Sequence, residues 1–310
     1  MEPTRQWIRR AQVIIGKAGR GLLVEELRIV FEVTKTVDSA PNTATIKIYN
    51  LAPTSEAKIK NEFDEVLLNC GYEGAMRLVF RGNIKHVYRY REGNDYITEI
   101  EAADGDKDYR NAVMNETLAA GTTNKHLIDR AVGSMSGGTK KGYADTGSNP
   151  RIRGKVITGN TRDALTDLAR DIGANWSIQD GQLVIVKADA VMPGEAIVIR
   201  ADTGMLGSPE VNDKGVTVKC LLNPQIRING AIKIDNNGIK GAPVKVGKTA
   251  KKKEDVVDKD AEKKEPIRLD PDGIYKCVKL THRGDNRGQE WETEALCIGL
   301  DANATDSAKK

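Results

Sequence analysis

From Leu27 the apolar residues Leu27, Ile29, Phe31 and Val33 alternate with Arg28, Glu32 and Thr34, and in NTATIKIYNL (42–51) Ala44, Ile46 and Ile48 alternate with Thr45, Lys47 and Tyr49. Period two sends successive side chains to opposite faces, so each stretch is a strand with one face on a core. The polar segment 38–42 between them contains Pro41 and reads as a turn, which makes the two strands antiparallel neighbours. After a short helix in APTSEAKIKNEF, entered through Pro53, Thr54 or Ser55, come a strand at EVLLNCGY (65–72) and a long hairpin over 77–105. Its turn is Glu92-Gly93-Asn94-Asp95, and Gly82 marks where a bulge or bend is expected in the first arm.

The period then changes. Leu127, Ile128, Ala131 and Val132 share one side of a helix that Thr122, Thr123 or Asn124 can cap and Gly133 can end. Residues 134–150 are rich in Gly, Ser and Lys and read as a mobile loop. A strand at KVIT precedes a second helix, capped by Asn160 or Thr161, with Leu165, Leu168, Ala169 and Ile172 at helical spacing and Gly173 at its end. NWSIQDGQLVIVK follows, and its Asp180-Gly181 pair between two apolar runs predicts a tight hairpin with Trp176 as a core anchor. Strands return in AIVIRAD, GVTVKCLLNP and QIRINGAIKID. Residues 251–266 hold six Lys and six acidic residues and no aromatic, so they read as an exposed charged loop or linker.

Residues 273–300 form a last hairpin in which Gly284 to Gly288 supply a turn whose two glycines tolerate positive φ. Glu290, Glu292 and Glu294 then fall on one face, with Trp291, Thr293 and Ala295 on the other, and Trp291 anchors the return strand. The tail 301–310 is small, polar and expected to fray. The fold class is therefore mainly β with some α (α+β), in multiple small β-barrel or sandwich modules. The expected divisions are a β domain at 1–110, an α+β domain at 111–200 that 273–300 could complete, a small β module at 201–245, a charged linker at 246–272 and the hairpin at 273–300.

Composition narrows function. Aromatics are only 5% of the chain, which makes large aromatic-lined pockets improbable, and 48 basic against 44 acidic residues leave a net charge of +4. Arg9, Arg10, Gln12 and Lys17 interrupt any apolar leader, and no run approaches the roughly 20 apolar residues that span a bilayer. A soluble protein made in the cytoplasm is expected. Cys70, Cys220, Cys277 and Cys297 are far apart and read as buried thiols, with Cys277 and Cys297 the one candidate disulfide if their strands pair.

The candidate acids Asp285, Glu290, Glu292 and Glu294 read as a turn residue and a solvated strand face, because no second acidic cluster is set up to oppose them. His86, His126 and His282 each stand alone on different elements, so no metal site is expected. No phosphate loop, dinucleotide fingerprint or Gly-x-Ser-x-Gly is present, and no cofactor or catalytic residue is assigned. The basic run Lys248, Lys251, Lys252 and Lys253 lacks interleaved aromatics, which leaves a nucleic-acid-binding β-barrel module as a minor alternative.

Three stretches carry a resemblance: LRIVFEVTKTVDSAPNTATIKIYNLAPTS (27–55) with LVFRGNIKHV and TEIEAADGD, NTRDALTDLARDIGANWSIQDGQLVIV (160–186), and GSPEVNDKGVTVKCLLNPQIRINGAIKI (207–234) with the 281–297 segment. In these the chain resembles the baseplate hub proteins of tailed bacteriophages. The resemblance implies two tail-tube-like domains per subunit (1–110 and 111–200) and a homotrimer that joins the tail tube protein to the central spike protein. It implies a channel kept open for DNA in passage, a place in the virion after assembly in the host cytoplasm, and contact with tape-measure and baseplate wedge proteins. It implies no enzymatic activity. The alternative from another class is a peptidoglycan-degrading tail enzyme using Asp285 and Glu290. The charged segment 251–266 has no counterpart in the resemblance.

Overall fold

The computed structural model describes residues 7–17, 20–147, 153–212, 214–234 and 273–300. The expected charged linker (251–266) and frayed tail (301–310) lie outside the described residues. The chain begins with an antiparallel pair, β1 (Arg9–Lys17) and β2 (Arg20–Val24), followed by the pair read from alternation, β3 (Ile29–Thr36) and β4 (Thr43–Tyr49). Helix α1 (Pro53–Glu62) starts with Pro53 in its first turn, where the missing N–H costs nothing. Next come β5 (Glu65–Tyr72), the 18-residue β6 (Ala75–Glu92) and β7 (Asp95–Ala103).

Helix α2 (Asp106–Asn111) leads to β8 (Val113–Leu118), α3 (Asn124–Ser134), β9 (Lys140–Ala144), β10 (Lys155–Asn160), α4 (Thr161–Asp171), β11 (Ala174–Gln179) and β12 (Gln182–Lys187). The remainder is β13 (Ile197–Ile199), a 3-10 turn at Ala201–Thr203, β14 (Glu210–Asn212), β15 (Gly215–Leu221), β16 (Ala231–Ile234), β17 (Ile274–Asp285) and β18 (Trp291–Gly299).

The protein is mostly β. One sheet runs β14-β15-β18-β17-β3-β4-β7-β6-β5-β1-β2, with β16 and then β13 branching from β17. It is an open, bent sheet, not a closed barrel. Two long strands make the bends. The first half of β6 pairs with β5 and its second half with β7, with register shifts opposite Leu68/Asn69 and between Ile84 and His86. The first turn of β17 pairs with β16 and its second half with β3, with a shift between Cys277 and Lys279. A bulge re-aims a strand, which lets one strand serve two cores.

Three cores result. The first gathers Val13 and Ile15 of β1, Phe31 and Val33 of β3, Ile46 and Ile48 of β4, Leu68 of β5, Phe80 of β6 and Trp291 of β18. The second packs α3 and α4 through Leu127, Ile128, Leu165 and Leu168 against Trp176, Leu183 and Ile185 of the β11–β12 hairpin. The third lies between β15, β16, β17 and β18, around Val218, Ile232, Tyr275 and Cys297.

Several expectations change in detail. Residues 134–150 contain β9, which lies parallel to β12 as an edge strand, with Lys140 N–H donating to Gly181 O at 2.9 Å and Asp145 N–H to Ile185 O at 2.9 Å. Edge pairing needs backbone bonds on one side only, so no alternation announces it. Of the described residues of QIRINGAIKID only 231–234 are strand, because Asn229 takes a left-handed φ of 62° and turns the chain.

Gly82 sits between the two register shifts of β6, and a Cβ there would meet Ala103 O and Phe80 Cζ at 2.7 Å, so glycine serves close approach. The same holds in the last turn. Neither Gly284 nor Gly288 has positive φ. A Cβ on Gly284 would lie 2.4 Å from Phe31 Cζ, and one on Gly288 2.2 Å from Asp285 Oδ2.

Trp291 is 2% exposed, edge-on to Phe31 at 5.6 Å between ring centroids, with the Arg9 guanidinium 5.9 Å from its own ring centroid. Its burial predicts that Trp291→Ala lowers unfolding free energy by about 3–5 kcal/mol. Gly284→Ala, which must push two rings apart, costs about 1–3 kcal/mol. Glu290→Gln, on the exposed side of the turn, stays within about 0.5 kcal/mol of wild type. Urea unfolding of the three variants checks the order.

Candidate functional site

The side chains that do specific work cluster where sheets meet. At the tip of β17, Arg28 donates from Nη2 to Asp285 Oδ2 at 2.6 Å and from Nε to the same carboxylate. Asp285 also accepts the Arg287 N–H at 3.0 Å, and Asn286 bonds Ile29 N–H at 2.8 Å and Leu27 O at 2.9 Å. Arg9 donates to Gly288 O at 2.7 Å and Gln289 O at 3.1 Å, tying β1 to the same turn.

These contacts bear on the acid–base alternative. Burial pushes the Asp285 carboxyl up, but Arg28 and the turn amides outweigh it and hold the group below the ordinary carboxylate range. A general acid needs the opposite shift. Asp285 is thus a turn carboxylate locked in an ion pair, and Glu290 contributes its backbone carbonyl to Asp285 N–H at 2.8 Å. Glu292 and Glu294 face outward with Arg283, which also pairs with Glu32, while Lys219 pairs with Glu294.

The second junction joins the β3–β4–β7 edge to the β11–β12 hairpin. Lys35, buried at the inward phase of β3, donates to both oxygens of Asp180 at 2.7 Å. Asp104, wholly buried after β7, accepts the amides of the hairpin turn: Gly181 N–H at 2.9 Å and Asp180 N–H in a short bond. Asn42 donates to Ile178 O at 2.9 Å and to Gln179 Oε1 at 3.0 Å, and Gln179 donates to Thr36 O at 2.9 Å. Asp180 and Gly181 both take positive φ, 54° and 77°, the geometry of the Asp-Gly hairpin turn read from sequence. Gly105, at φ 62°, lets Ile178 pack where a Cβ would come within 2.6 Å.

Desolvation, with Asp180 alongside, pushes the Asp104 carboxyl up to about 7 against the relief from Lys35 and the two amides. His282, buried beneath the sheet with Nδ1 2.9 Å from Thr293 Oγ1, is pushed down to about 3 by burial and by Lys35.

The other histidines are surface groups: His86 stands 5.9 Å from the Tyr88 ring, and the His126 N–H donates to the capping Thr123 Oγ1. Among the described residues no group of three His, Cys, Asp or Glu could hold a metal ion, and no helix is long and apolar enough to cross a membrane. The basic run Lys248–Lys253 lies outside the described residues. All four cysteines are free and buried, with Cys277 and Cys297 opposite one another.

A family model described as Baseplate hub gp41 matches residues 10–237. The chain belongs to this baseplate hub family. The resemblance read from its three stretches is thereby borne out, and a baseplate component is part of the virion. No curated protein sequence matches the chain.

Among solved structures, a tail protein from Neisseria meningitidis MC58 aligns at TM-score 0.59 and 9% identity over 94% of this chain and 97% of that one. The 43 kDa tail protein of prophage MuSo2 from Shewanella oneidensis aligns at 0.58 and 9% over 93% and 98%. An E. coli component of the type VI secretion system, described as structurally similar to T4 bacteriophage tail proteins gp27 and gp5, aligns at 0.56 and 11% over 94% and 77%. At such identities the likeness is one of fold. It covers more of the chain than the family match, which ends at residue 237.

Lys35, Asn42, Asp104 and Gln179 went unassigned in the sequence, although Lys35 falls in phase with Ile29, Phe31 and Val33. A cation on the apolar phase needs a buried anion, and that was the available signal.

The two shifted groups pull stability in opposite directions with pH. Asp104 is raised, so its contribution is full below about 4 and lost as pH rises through 7. His282 is depressed, so its contribution is full above about 6.5 and lost as pH falls toward 3. Each is worth at most about 5 kcal/mol. Asp104→Asn should therefore steepen the loss of stability below pH 6.5, and His282→Gln should leave stability that falls between pH 4.5 and 7. Urea midpoints across that range check both signs.

Proposed function

We propose that this hub protein is the subunit of a homotrimeric adaptor between the tail tube and the central spike. Residues 1–110 and 111–200 act as two tube-like domains per subunit, and the β modules at 201–245 and 273–300 hold the spike. Three copies then offer six tube-like domains around a channel left open for the genome, matching a six-fold tube. The partners are further copies of the chain, the tube and spike proteins, and neighbouring tape-measure and wedge proteins. The chain's role is to match symmetries, with no reaction of its own.

One observation carries this reading. The large sheet has three strands that, among the described residues, pair on one side only: β2 with β1, β14 with β15, and β13 with β16. Unpaired edges invite another strand, and a head-to-tail contact between unlike surfaces closes into a ring when its rotation divides the circle. Beside the β2 edge, Leu23 (51% exposed), Ile14 and Leu67 stand in cross-strand register on the outer face, an aliphatic row suited to contact. The fold likeness to a type VI secretion component that is itself similar to tail proteins gp27 and gp5 supports the same role.

Light scattering on the purified protein mixed with its spike should give three chain masses per particle, and a mass of one chain in that mixture defeats the proposal. Leu23→Arg should return the particle to single chains without lowering the urea midpoint of the subunit. A cleared band in peptidoglycan zymography that disappears in Glu290→Gln would instead favour the enzyme.

A further inference from the structure

Cys277 of β17 stands opposite Cys297 of β18. The Cys277 N–H donates to Gly230 O at 3.0 Å and its carbonyl accepts Asn229 N–H at 2.8 Å, both on the side away from β18. On the other strand Cys297 is opposite Val216 of β15, and a Cβ on Gly215 would lie 2.2 Å from Cys297 O, so that carbonyl points toward β15. The backbone polar groups of both residues thus turn away from each other. This is a non-hydrogen-bonded antiparallel pair, the position where facing Cα atoms approach to about 4.5 Å and their side chains are closest. Disulfides span Cα separations of about 4.4–6.8 Å. Both thiols are free and fully buried on the same core face, with the Cys277 thiol 3.7 Å from Lys279 O.

We propose that Cys277 and Cys297 are a disulfide-forming pair that locks the β17–β18 hairpin when the protein meets a small-molecule disulfide oxidant such as glutathione disulfide. One cysteine thiolate attacks a sulfur of the oxidant, forming a mixed disulfide and releasing one glutathione thiolate. The second cysteine attacks the protein-side sulfur of that intermediate, closing the Cys277–Cys297 bond and releasing the other glutathione. The oxidant's S–S bond is reduced by the two electrons the cysteines give up, and the two cysteine protons end on the two glutathione thiols.

The hydrogen bond to Cys297, and then burial, hold the Cys277 thiol well above the ordinary thiol range. The pair therefore reacts slowly while packed and persists reduced inside a cell. Its use in a particle that passes to an oxidising medium rests on the virion role above; the chemistry does not.

The test uses the purified full chain incubated with glutathione disulfide, alkylated in denaturant, digested without reduction and mapped by mass spectrometry. The expected product is one peptide pair joined through Cys277 and Cys297, lighter than its reduced parts by two hydrogens, with Cys70 and Cys220 alkylated. The urea midpoint of the oxidised protein should rise, a rise kept in Cys220→Ser and lost in Cys297→Ser. Four alkylated cysteines after oxidation, or a cross-link through Cys220, overturns the assignment, and a bond formed without a higher midpoint overturns the lock. Because the readout is on the single chain, a failure to trimerise leaves it standing.

Discussion

Backbone pairing along β17 is the constraint on which the rest depends. Its 12 residues bond β18 along their length, β16 at the first turn and β3 over the second half, and β18 in turn carries β15. The shift between Cys277 and Lys279 rotates the strand between two tasks. Tyr275 and Cys277 enter the third core, while Gly284 lies beneath Phe31 and Trp291 of the first. A ladder bond broken in such a buried strand has no water to replace it, so the two cores are coupled through the peptide backbone as well as through side-chain packing.

The helical unit is attached differently, through a few charged and amide groups. Taking Lys35 and Asp104 out of water is costly, and a buried ion pair seldom repays that cost against an apolar alternative. What the polar cluster supplies is direction. Two amides of one hairpin turn meet one carboxylate, and one ammonium meets the turn's own side chain, so the β11–β12 hairpin can seat in one orientation only. The opposed pH behaviour of Asp104 and His282 follows from the same burial, since desolvation penalises an anion and a cation alike and the two groups lose charge from opposite sides of neutrality.

Elements were legible in the sequence where a local pattern determines them. Alternation at 27–34 and 42–51, Pro53 at the start of α1, Thr123 as a cap and Asp180-Gly181 as a turn all concern residues within a few positions of one another. Partnerships between strands far apart in the chain were not legible. Nothing local pairs Thr281 with Thr34 or Lys35 with Asp180, and β9 is defined by its neighbour alone. Glycines illustrate the limit well: Gly284 and Gly288 mark a turn correctly, but a sequence cannot distinguish a glycine needed for φ from one needed because a ring or a carboxylate occupies the space of its Cβ.

The adaptor role proposed above requires a subunit that resists shear between its parts. Units joined by a linker move relative to one another unless their interface is large. Here the first and third cores share β17 and β18, so sliding one past the other requires breaking ladder bonds in register rather than repacking a surface. The second unit is held by directional bonds to β3, β4 and the end of β7, the strands next to β17 in the same sheet. Load applied at the β2 or the β14 edge therefore runs through a single hydrogen-bonded path. A covalent rung at Cys277 and Cys297 would fall on that path between β14 and β3, in the hairpin on which the shared strand depends.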